Sequence, residues 1–165
     1  MDVLCAIKTR YSVRKYHNVP VSQEQVIRIL DAAVCAPSGK DRKPWKFKVI
    51  LDSALLNIMA KKTVYSRWLK TAPCCVLVFL DKEKSYDRLK DIQSCGAVMQ
   101  NILLAAHGLG LGGCWVGEIL SYQEDIMAKL HISQSNYELM GLVAIGHANQ
   151  LPHTKNECEI STFLL

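Results

Sequence analysis

A continuous apolar run, Cys74 to Leu80, is the feature that most restricts how this chain can fold. Pro73 precedes the run, which has the length of a single strand. A strand that is apolar at every position has both faces covered, whereas a half-exposed strand alternates apolar and polar residues. The run therefore predicts a central strand, with other elements packed on both sides of its sheet.

Further elements follow from periodicity and capping residues. Ser22 and Gln25 form a capping-box start for a helix that ends near Cys35. Alternation predicts a strand from Trp45 to Leu51, and a second strand is expected from Leu139 to Ile145. Shorter helices are predicted at residues 2–8, with Val3, Leu4 and Ile7 on one side, at 53–62 after Asp52, and at 122–130.

Two connecting stretches are less regular. Residues 63–70 fit no single period, and their aromatic residues are expected to be exposed or half-buried. Residues 81–91 mix both signs of charge closely, which predicts a solvated connection.

The stretch from Ile92 to His107 predicts a long helix that is apolar on several sides. Such a helix is buried on more than one side, either in a large core or against a second subunit. A chain of 165 residues has only a modest core, which favours burial of this helix against a second subunit.

Length and composition indicate one globular domain covering residues 1–165. A chain of this length buries about 70% of its unfolded surface and needs no disulfide for a stable core. Seven cysteines without a Cys-x-x-Cys pair favour a reducing compartment, so we expect a cytoplasmic protein. The apolar runs are too short for a membrane span, and no histidine joins a cysteine or an acid at zinc-ligand spacing. We therefore expect neither membrane attachment nor a metal site.

Charge is distributed unevenly along the chain. Residues 1–90 hold 18 of the 20 Lys and Arg residues against 8 acids, whereas residues 91–165 hold 2 against 7. This asymmetry indicates anionic ligands on surfaces built from the first half. Nucleic acid is a weak candidate, because no nucleic-acid motif is present and aromatic residues are not interleaved with the basic ones. We expect no nucleic-acid partner.

Two basic segments are candidate anion sites. Arg10, Ser12 and Arg14 alternate, so an extended backbone would point all three to one side as a phosphate clamp. The alternative is that the two arginines pair with surface acids. In the loop after Pro37, Gly39 is expected to adopt a backbone conformation closed to other residues, and three cations follow within residues 40–43. This loop suits an anionic or planar ligand, unless it simply faces water.

Residues 108–117 are rich in glycine and match G-x-G-x-x-G at positions 108, 110 and 113. A dinucleotide fingerprint must follow a strand and open a helix, but this stretch follows a helix and runs into Cys114-Trp115-Val116. It therefore predicts a helix C-terminus and then a strand end that allows close backbone approach to a ligand.

Two motifs together resemble the nitroreductase family of FMN-dependent flavoproteins. They are the Arg-x-Ser-x-Arg segment at residues 10–14 and the order helix, Ala-Pro-Ser-Gly, polar residues, Pro-Trp and strand at residues 36–45. The stretches Gln100–Ala106 and Trp115-Val116-Gly117 are similar to later family segments. This resemblance implies an α+β fold, a nitroreductase-like α/β/α sandwich with a mainly antiparallel sheet, in an intertwined homodimer with FMN between subunits.

The resemblance also implies a set of cofactor-binding residues. These are Arg10, Tyr11, Ser12, Arg14, Pro37, Ser38, Gly39, Lys40, Asp41, Arg42, Trp115, Val116, Gly117 and Lys155. Asp41 and Lys43 stand where the family usually has amides, so Asp41 needs a cation such as Arg42 to offset its charge near a ring. Glu157 stands where an arginine is common, and the tail from residue 160 to 165 is expected to pack across the partner.

The implied activity is ping-pong, two-electron transfer from NADH or NADPH to an electron-poor small molecule such as a nitroaromatic or a quinone. Flavin carries the chemistry, so no catalytic side chain is predicted. The alternatives are a flavin-binding protein without turnover and a basic interaction module without cofactor.

Overall fold

The computed structural model describes residues 1–152 and 159–165. The helices are α1 (Val3–Thr9), α2 (Gln23–Ala33), α3 (Ser53–Ala60), α4 (Ser66–Leu69), α5 (Arg88–Gly108) and α6 (Gln123–Lys129). The strands are β1 (Trp45–Ile50), β2 (Cys74–Asp81), β3 (Gly112–Val116) and β4 (Tyr137–Gly146). Short 3₁₀ turns cover Gly39–Asp41, Glu118–Tyr122 and Ile160–Phe163.

The strands form one antiparallel sheet in the order β1-β2-β4-β3. β2 is central, and all eight of its residues are buried. The predicted central strand is therefore confirmed, because the continuous apolar run pairs with a neighbour on each side. The strands predicted at residues 45–51 and 139–145 correspond to β1 and β4.

Helices cover both faces of the sheet. Alternate residues of β2, such as Val76 and Val78, pack with α2 and α5 in one hydrophobic cluster. The intervening residues, such as Leu77 and Phe79, pack with α3, α4 and α6 in the other. The predicted α+β fold, an α/β/α sandwich with an antiparallel sheet, is confirmed. The irregular stretch at residues 63–70 contains the short helix α4.

The predicted capping box starts α2. Ser22 Oγ accepts from Gln25 N at 3.1 Å, and Gln25 Oε1 accepts from Ser22 N at 2.9 Å. Buried Val26, Ile29 and Ala33 form the face that packs against α5. The local signal and the packed face therefore agree on where this helix begins and which side it buries.

Replacing Ser22 by alanine should lower the free energy of unfolding by about 1 kcal/mol, because an amide at the helix start loses its acceptor. Urea unfolding followed by circular dichroism measures this change. The matched control is Ser53→Ala, since α3 is capped instead by Asp52, whose carboxylate accepts from Ala54 N at 2.8 Å. An equal effect of the two substitutions would contradict the capping role of Ser22.

The long helix α5 begins earlier than predicted and changes the interpretation of residues 81–91. Its N-cap is Asp87, so residues 88–91 are helical. Asp81 is 6% exposed and Asp91 is fully buried, and the prediction of a solvated connection through residue 91 is wrong at both ends. Mixed charge did not predict exposure here, because the carboxylates of Asp81 and Asp91 are buried and accept hydrogen bonds from nearby backbone N–H groups. Among the described helices, none is both long and apolar enough to cross a membrane.

Several apolar side chains lie outside the core. On α1, Val3 is 66% exposed and Leu4 is 63% exposed, while Ala6 is the buried residue of the helix. Phe163 and Leu164 near the C-terminus are similarly exposed. The side of α1 predicted to be apolar thus faces away from the core of its own chain.

Most described cysteines pack as small apolar residues, as predicted. Cys74, Cys75, Cys95 and Cys114 are buried, whereas Cys35 is exposed. Burial raises the pKa of the Cys74 and Cys95 thiols to about 12. Thiols with such pKa values remain protonated near neutral pH and are poor nucleophiles.

Candidate functional site

The basic segment at residues 10–14 lies against β3, one of the two edge strands of the sheet. Ser12 forms a parallel bridge with Gly113, and Val13 N donates to Gly113 O at 3.0 Å. Val13 is 1% exposed, and a Cβ at position 112 would lie only 2.7 Å from Val13 Cβ. Glycine at position 112 therefore allows the basic segment to approach the strand closely.

The alternating polar side chains of this segment lie near Cys114 of β3. Burial raises the pKa of the Cys114 thiol, while the Arg14 guanidinium, the Ser12 hydroxyl and the Arg10 guanidinium oppose that rise. All three groups are thus close enough to influence the same sulfur atom. Their convergence agrees with the interpretation that alternation points them to one side.

Gln150 ties this segment down and was not found from the sequence. Its Oε1 accepts from Arg14 N at 2.7 Å, and its Nε2 donates to Ser12 O at 3.3 Å. Its backbone carbonyl accepts from Tyr11 Oη at 3.2 Å. A single glutamine distant in sequence carries no motif that could have revealed this role. It holds the segment through the backbone of Ser12 and Arg14 and does not occupy their side chains.

Residues 115–117, at the end of β3, come next in the sequence after the residues that contact the basic segment. Trp115 is 42% exposed, and its ring lies beside two glycines. A Cβ at Gly96 would lie 3.8 Å from Trp115 Cη2, and one at Gly141 would lie 2.9 Å from Trp115 Nε1. A Cβ at Gly117 would meet nothing within 4 Å. The predicted helix C-terminus followed by a glycine-flanked strand end is confirmed, and the space beside Gly117 is open.

The loop after Pro37 has an unusual backbone. Lys40, Asp41 and Lys43 have φ values of 56°, 51° and 48°, a region that costs non-glycine residues free energy and is enriched at functional sites. Ser38 Oγ accepts from Lys43 N at 2.9 Å and holds the turn. The left-handed conformation predicted for Gly39 therefore falls instead on its neighbours.

Gly39 is needed for a different reason. A Cβ at this position would overlap the Tyr86 hydroxyl, so glycine allows the loop to rest on the Tyr86 ring. Lys40 Nζ lies 4.9 Å, Lys90 Nζ 5.6 Å and Arg42 Cζ 5.7 Å from the ring centroid. These distances are within the range of cation–π attraction. Neither Tyr86 nor Lys90 was a predicted site residue.

The carboxylate of Asp91 holds the backbone around Tyr86 by hydrogen bonds. Its Oδ2 accepts from Ser85 Oγ at 2.7 Å, from Tyr86 N at 3.0 Å and from Asp87 N at 3.2 Å. The residue is fully buried, and its Oδ1 has no hydrogen-bond partner among the described residues. Asp91 thus fixes the backbone that carries Tyr86 to the loop containing Gly39.

The charge on Asp41 is offset, although by a different cation from the one suggested. Asp41 Oδ1 lies 3.6 Å from Lys43 Nζ, whereas Arg42 Nη1 donates to the backbone carbonyl of Lys84 at 3.4 Å. Lys90 pairs with Asp87 at 2.9 Å, and this hydrogen bond raises the pKa of Lys90.

The predicted cofactor residues thus form two groups within one chain. Residues 10–14 lie against Gly113 of β3, the strand that leads to residues 115–117, while the loop at residues 37–42 lies beside Tyr86 and α5. Within the described residues, hydrogen bonds and ion pairs do not link Ser12 or Arg14 to the loop after Pro37. Lys155 lies outside the described residues, as does Glu157. Among the residues that the structure does describe, no cluster of three metal-ligating side chains occurs.

Comparison with known proteins places these features in context. The family model described as "Nitroreductase family" matches residues 7–62 and 54–147. A protein of Methanothermobacter thermautotrophicus, named as a candidate NADH dehydrogenase/NAD(P)H nitroreductase, is 44% identical over 71% of this chain. That alignment spans 61% of the relative's own length.

Solved structures are similar over nearly the whole chain. A candidate nitroreductase from Desulfovibrio desulfuricans in complex with FMN has a TM-score of 0.95 and 37% identity. The similarity covers 100% of this chain and 96% of that one. The NADPH:FMN oxidoreductase from Vibrio harveyi, complexed with NAD⁺, has a TM-score of 0.90 at 22% identity. It covers 98% of this chain and 75% of that one, and supports the fold alone.

Proposed function

This chain belongs to the nitroreductase family, and from that premise we propose that it is an FMN-dependent oxidoreductase. The reaction would be two-electron transfer from NADH or NADPH to an electron-poor small molecule such as a nitroaromatic or a quinone. It would follow a ping-pong order, with residues 1–165 acting as a single FMN-binding domain.

The observation that carries this proposal is the position of the basic segment against β3, where Ser12 bridges Gly113 and the charges of Arg10 and Arg14 act on the Cys114 thiol. Two guanidinium groups and a hydroxyl suit a phosphate dianion, since arginine forms strong charge-assisted hydrogen bonds with phosphate oxygens. The open backbone at Gly117 leaves room for a flat ring next to this phosphate position. The residues present therefore fit FMN.

The protein's share of the chemistry would be binding and electrostatics. Bound FMN supplies the hydride-accepting ring, and this is chemistry that amino-acid side chains lack. Arg10, Ser12 and Arg14 would hold the phosphate, while backbone N–H groups of residues 115–117 would lie along the ring. Cations of residues 40–42 would stabilise negative charge on the reduced ring.

We also propose a homodimer with FMN between subunits. Val3, Leu4, Phe163 and Leu164 are each more than 60% exposed and are the kind of apolar surface that a second copy would bury. Among the described residues of one chain, hydrogen bonds and ion pairs do not link Ser12 or Arg14 to the loop after Pro37. A second copy would supply residues 37–42 to a site whose other half is built by residues 10–14 and 115–117.

The absorbance of bound FMN tests whether the protein binds flavin and reduces it. Purified protein supplied with FMN should be yellow, and the absorbance should bleach anaerobically when NADH or NADPH is added. Addition of a nitroaromatic or a quinone should restore the colour, and initial rates should give parallel double-reciprocal lines. Yellow protein that no nicotinamide bleaches would favour flavin binding without turnover. Protein that binds no FMN would overturn the proposal.

A further inference from the structure

The basic segment that contains Arg14 is held along both of its edges. Consecutive residues of an extended backbone direct their N–H and C=O groups to opposite edges. One edge faces β3, where Val13 N donates to Gly113 O at 3.0 Å. On the other edge, Gln150 Oε1 accepts from Arg14 N at 2.7 Å, and Gln150 Nε2 donates to Ser12 O at 3.3 Å. The Gln150 amide thus binds the two backbone groups that point away from β3.

An amide side chain suits this position chemically. The side chain must accept from an N–H group and donate to a C=O group at the same time, and a glutamine amide offers both an acceptor and donors. A carboxylate would place a second acceptor against Ser12 O, and an apolar side chain would satisfy neither backbone group. Glutamine at position 150 therefore matches the hydrogen-bonding groups of the segment that it holds.

The position of Gln150 is set by the backbone that precedes it. After β4, the chain runs antiparallel to the residues that follow the basic segment. Tyr16 and Ala148 form a bridge there, and the next hydrogen bond runs from Asn149 N to Lys15 O at 2.8 Å. This pairing delivers the amide of Gln150 to the edge of the basic segment.

Gln150 also lies among positive charges. It lines a cavity of about 710 Å³ together with Arg14, Lys15 and Arg67. Among the described residues that line this cavity, none is a carboxylate. The neutral amide therefore holds the basic segment without reducing the positive charge that would attract a phosphate.

We propose that Gln150 is a positioning residue for the phosphate of FMN and sets the preference of this protein for FMN over riboflavin. The inference rests on the proposed function, in which the Ser12 and Arg14 side chains hold the phosphate. Gln150 acts through the backbone of these two residues. Binding groups are precise only when neighbouring hydrogen bonds lock them. Without the amide, one edge of the segment is released to water, and the two side chains lose their common direction.

The decisive variants are Gln150→Ala and Gln150→Glu. We expect Gln150→Ala to raise the FMN dissociation constant about 3- to 10-fold, because two hydrogen bonds that hold the phosphate-binding segment are lost. Gln150→Glu keeps the size of the side chain and should raise the constant about 10- to 30-fold, because it also adds a negative charge beside the phosphate position. Both variants should bind riboflavin as the parent protein does. The matched control is Gln134→Ala, an exposed glutamine before β4, which should change neither affinity.

Fluorescence titration with FMN and with riboflavin gives the ratio of their dissociation constants, and a general loss of packing would not change this ratio. The difference between Gln150→Glu and Gln150→Ala should also narrow as sodium chloride rises, because salt screens the added charge. An unchanged ratio in both variants, or equal weakening of FMN and riboflavin, would overturn the inference. Absence of FMN binding by the parent protein would instead count against the proposed function.

Discussion

Replacing Asp91 by alanine will lower the free energy of unfolding by about 2–3 kcal/mol, the largest stability effect that we expect of any single polar substitution in this protein. The Asp91 carboxylate is fully buried and accepts from the Ser85 hydroxyl and from the N–H groups of Tyr86 and Asp87. Alanine leaves these half-buried donors without their acceptor. A buried donor without a partner costs its full desolvation free energy.

The same substitution should also disturb the loop that contains Gly39. Tyr86 is carried by the backbone that Asp91 holds, so its ring should no longer support Gly39 and the cations of the loop. Urea unfolding followed by circular dichroism measures the loss of stability.

Two comparisons make this prediction specific. Asp91→Asn keeps an acceptor oxygen in the same place, so it should lose clearly less stability than the alanine variant. Asp31→Ala removes an exposed carboxylate from α2 and should leave the unfolding transition unchanged within error. If Asp91→Ala were as stable as the parent protein, the carboxylate would not hold the start of α5.

The second large effect concerns FMN affinity. Replacing Arg10 and Arg14 together by alanine should raise the FMN dissociation constant by about 100-fold or more, because two charge-assisted hydrogen bonds to the phosphate are lost. Stability without FMN should change little, since the contact that anchors Arg14 uses its backbone N–H. Titration of FMN, followed by the quenching of its fluorescence, measures this affinity.

The matched control is Arg28→Ala, which removes an exposed arginine from α2, away from β3. It should leave FMN binding as it is in the parent protein. Riboflavin, which lacks the phosphate, should bind the double variant and the parent protein about equally. Equal FMN affinity in the double variant and the parent would mean that the phosphate lies elsewhere.

Sequence periodicity predicted the elements that depend on near neighbours. The apolar run at residues 74–80 identified the central strand, because burial on both faces removes every polar position. The capping box at Ser22 identified the start of α2. The alternation of Arg10, Ser12 and Arg14 indicated a shared direction, because side chains on an extended backbone alternate.

Residues that act across long separations escaped this approach. Gln150 binds the backbone of a segment more than 130 positions away, and no local motif marks it. Tyr86 and Asp91 looked like parts of a solvated connection, because mixed charge gives no sign of which carboxylate is buried. Gly39 was correctly singled out, but for its backbone freedom, and the structure shows that contact with Tyr86 is the reason.

By itself, the sequence determined which segments become strands and helices and which of their faces are apolar, because these properties arise from residues within a turn or two of one another. It also determined where positive charge is concentrated. Only the tertiary structure decided that residues 10–14 lie on β3, that Asp91 is buried, and that three cations surround Tyr86. These outcomes depend on how the sheet and α5 bring distant segments into contact, and packing between distant segments has no period that a sequence can display.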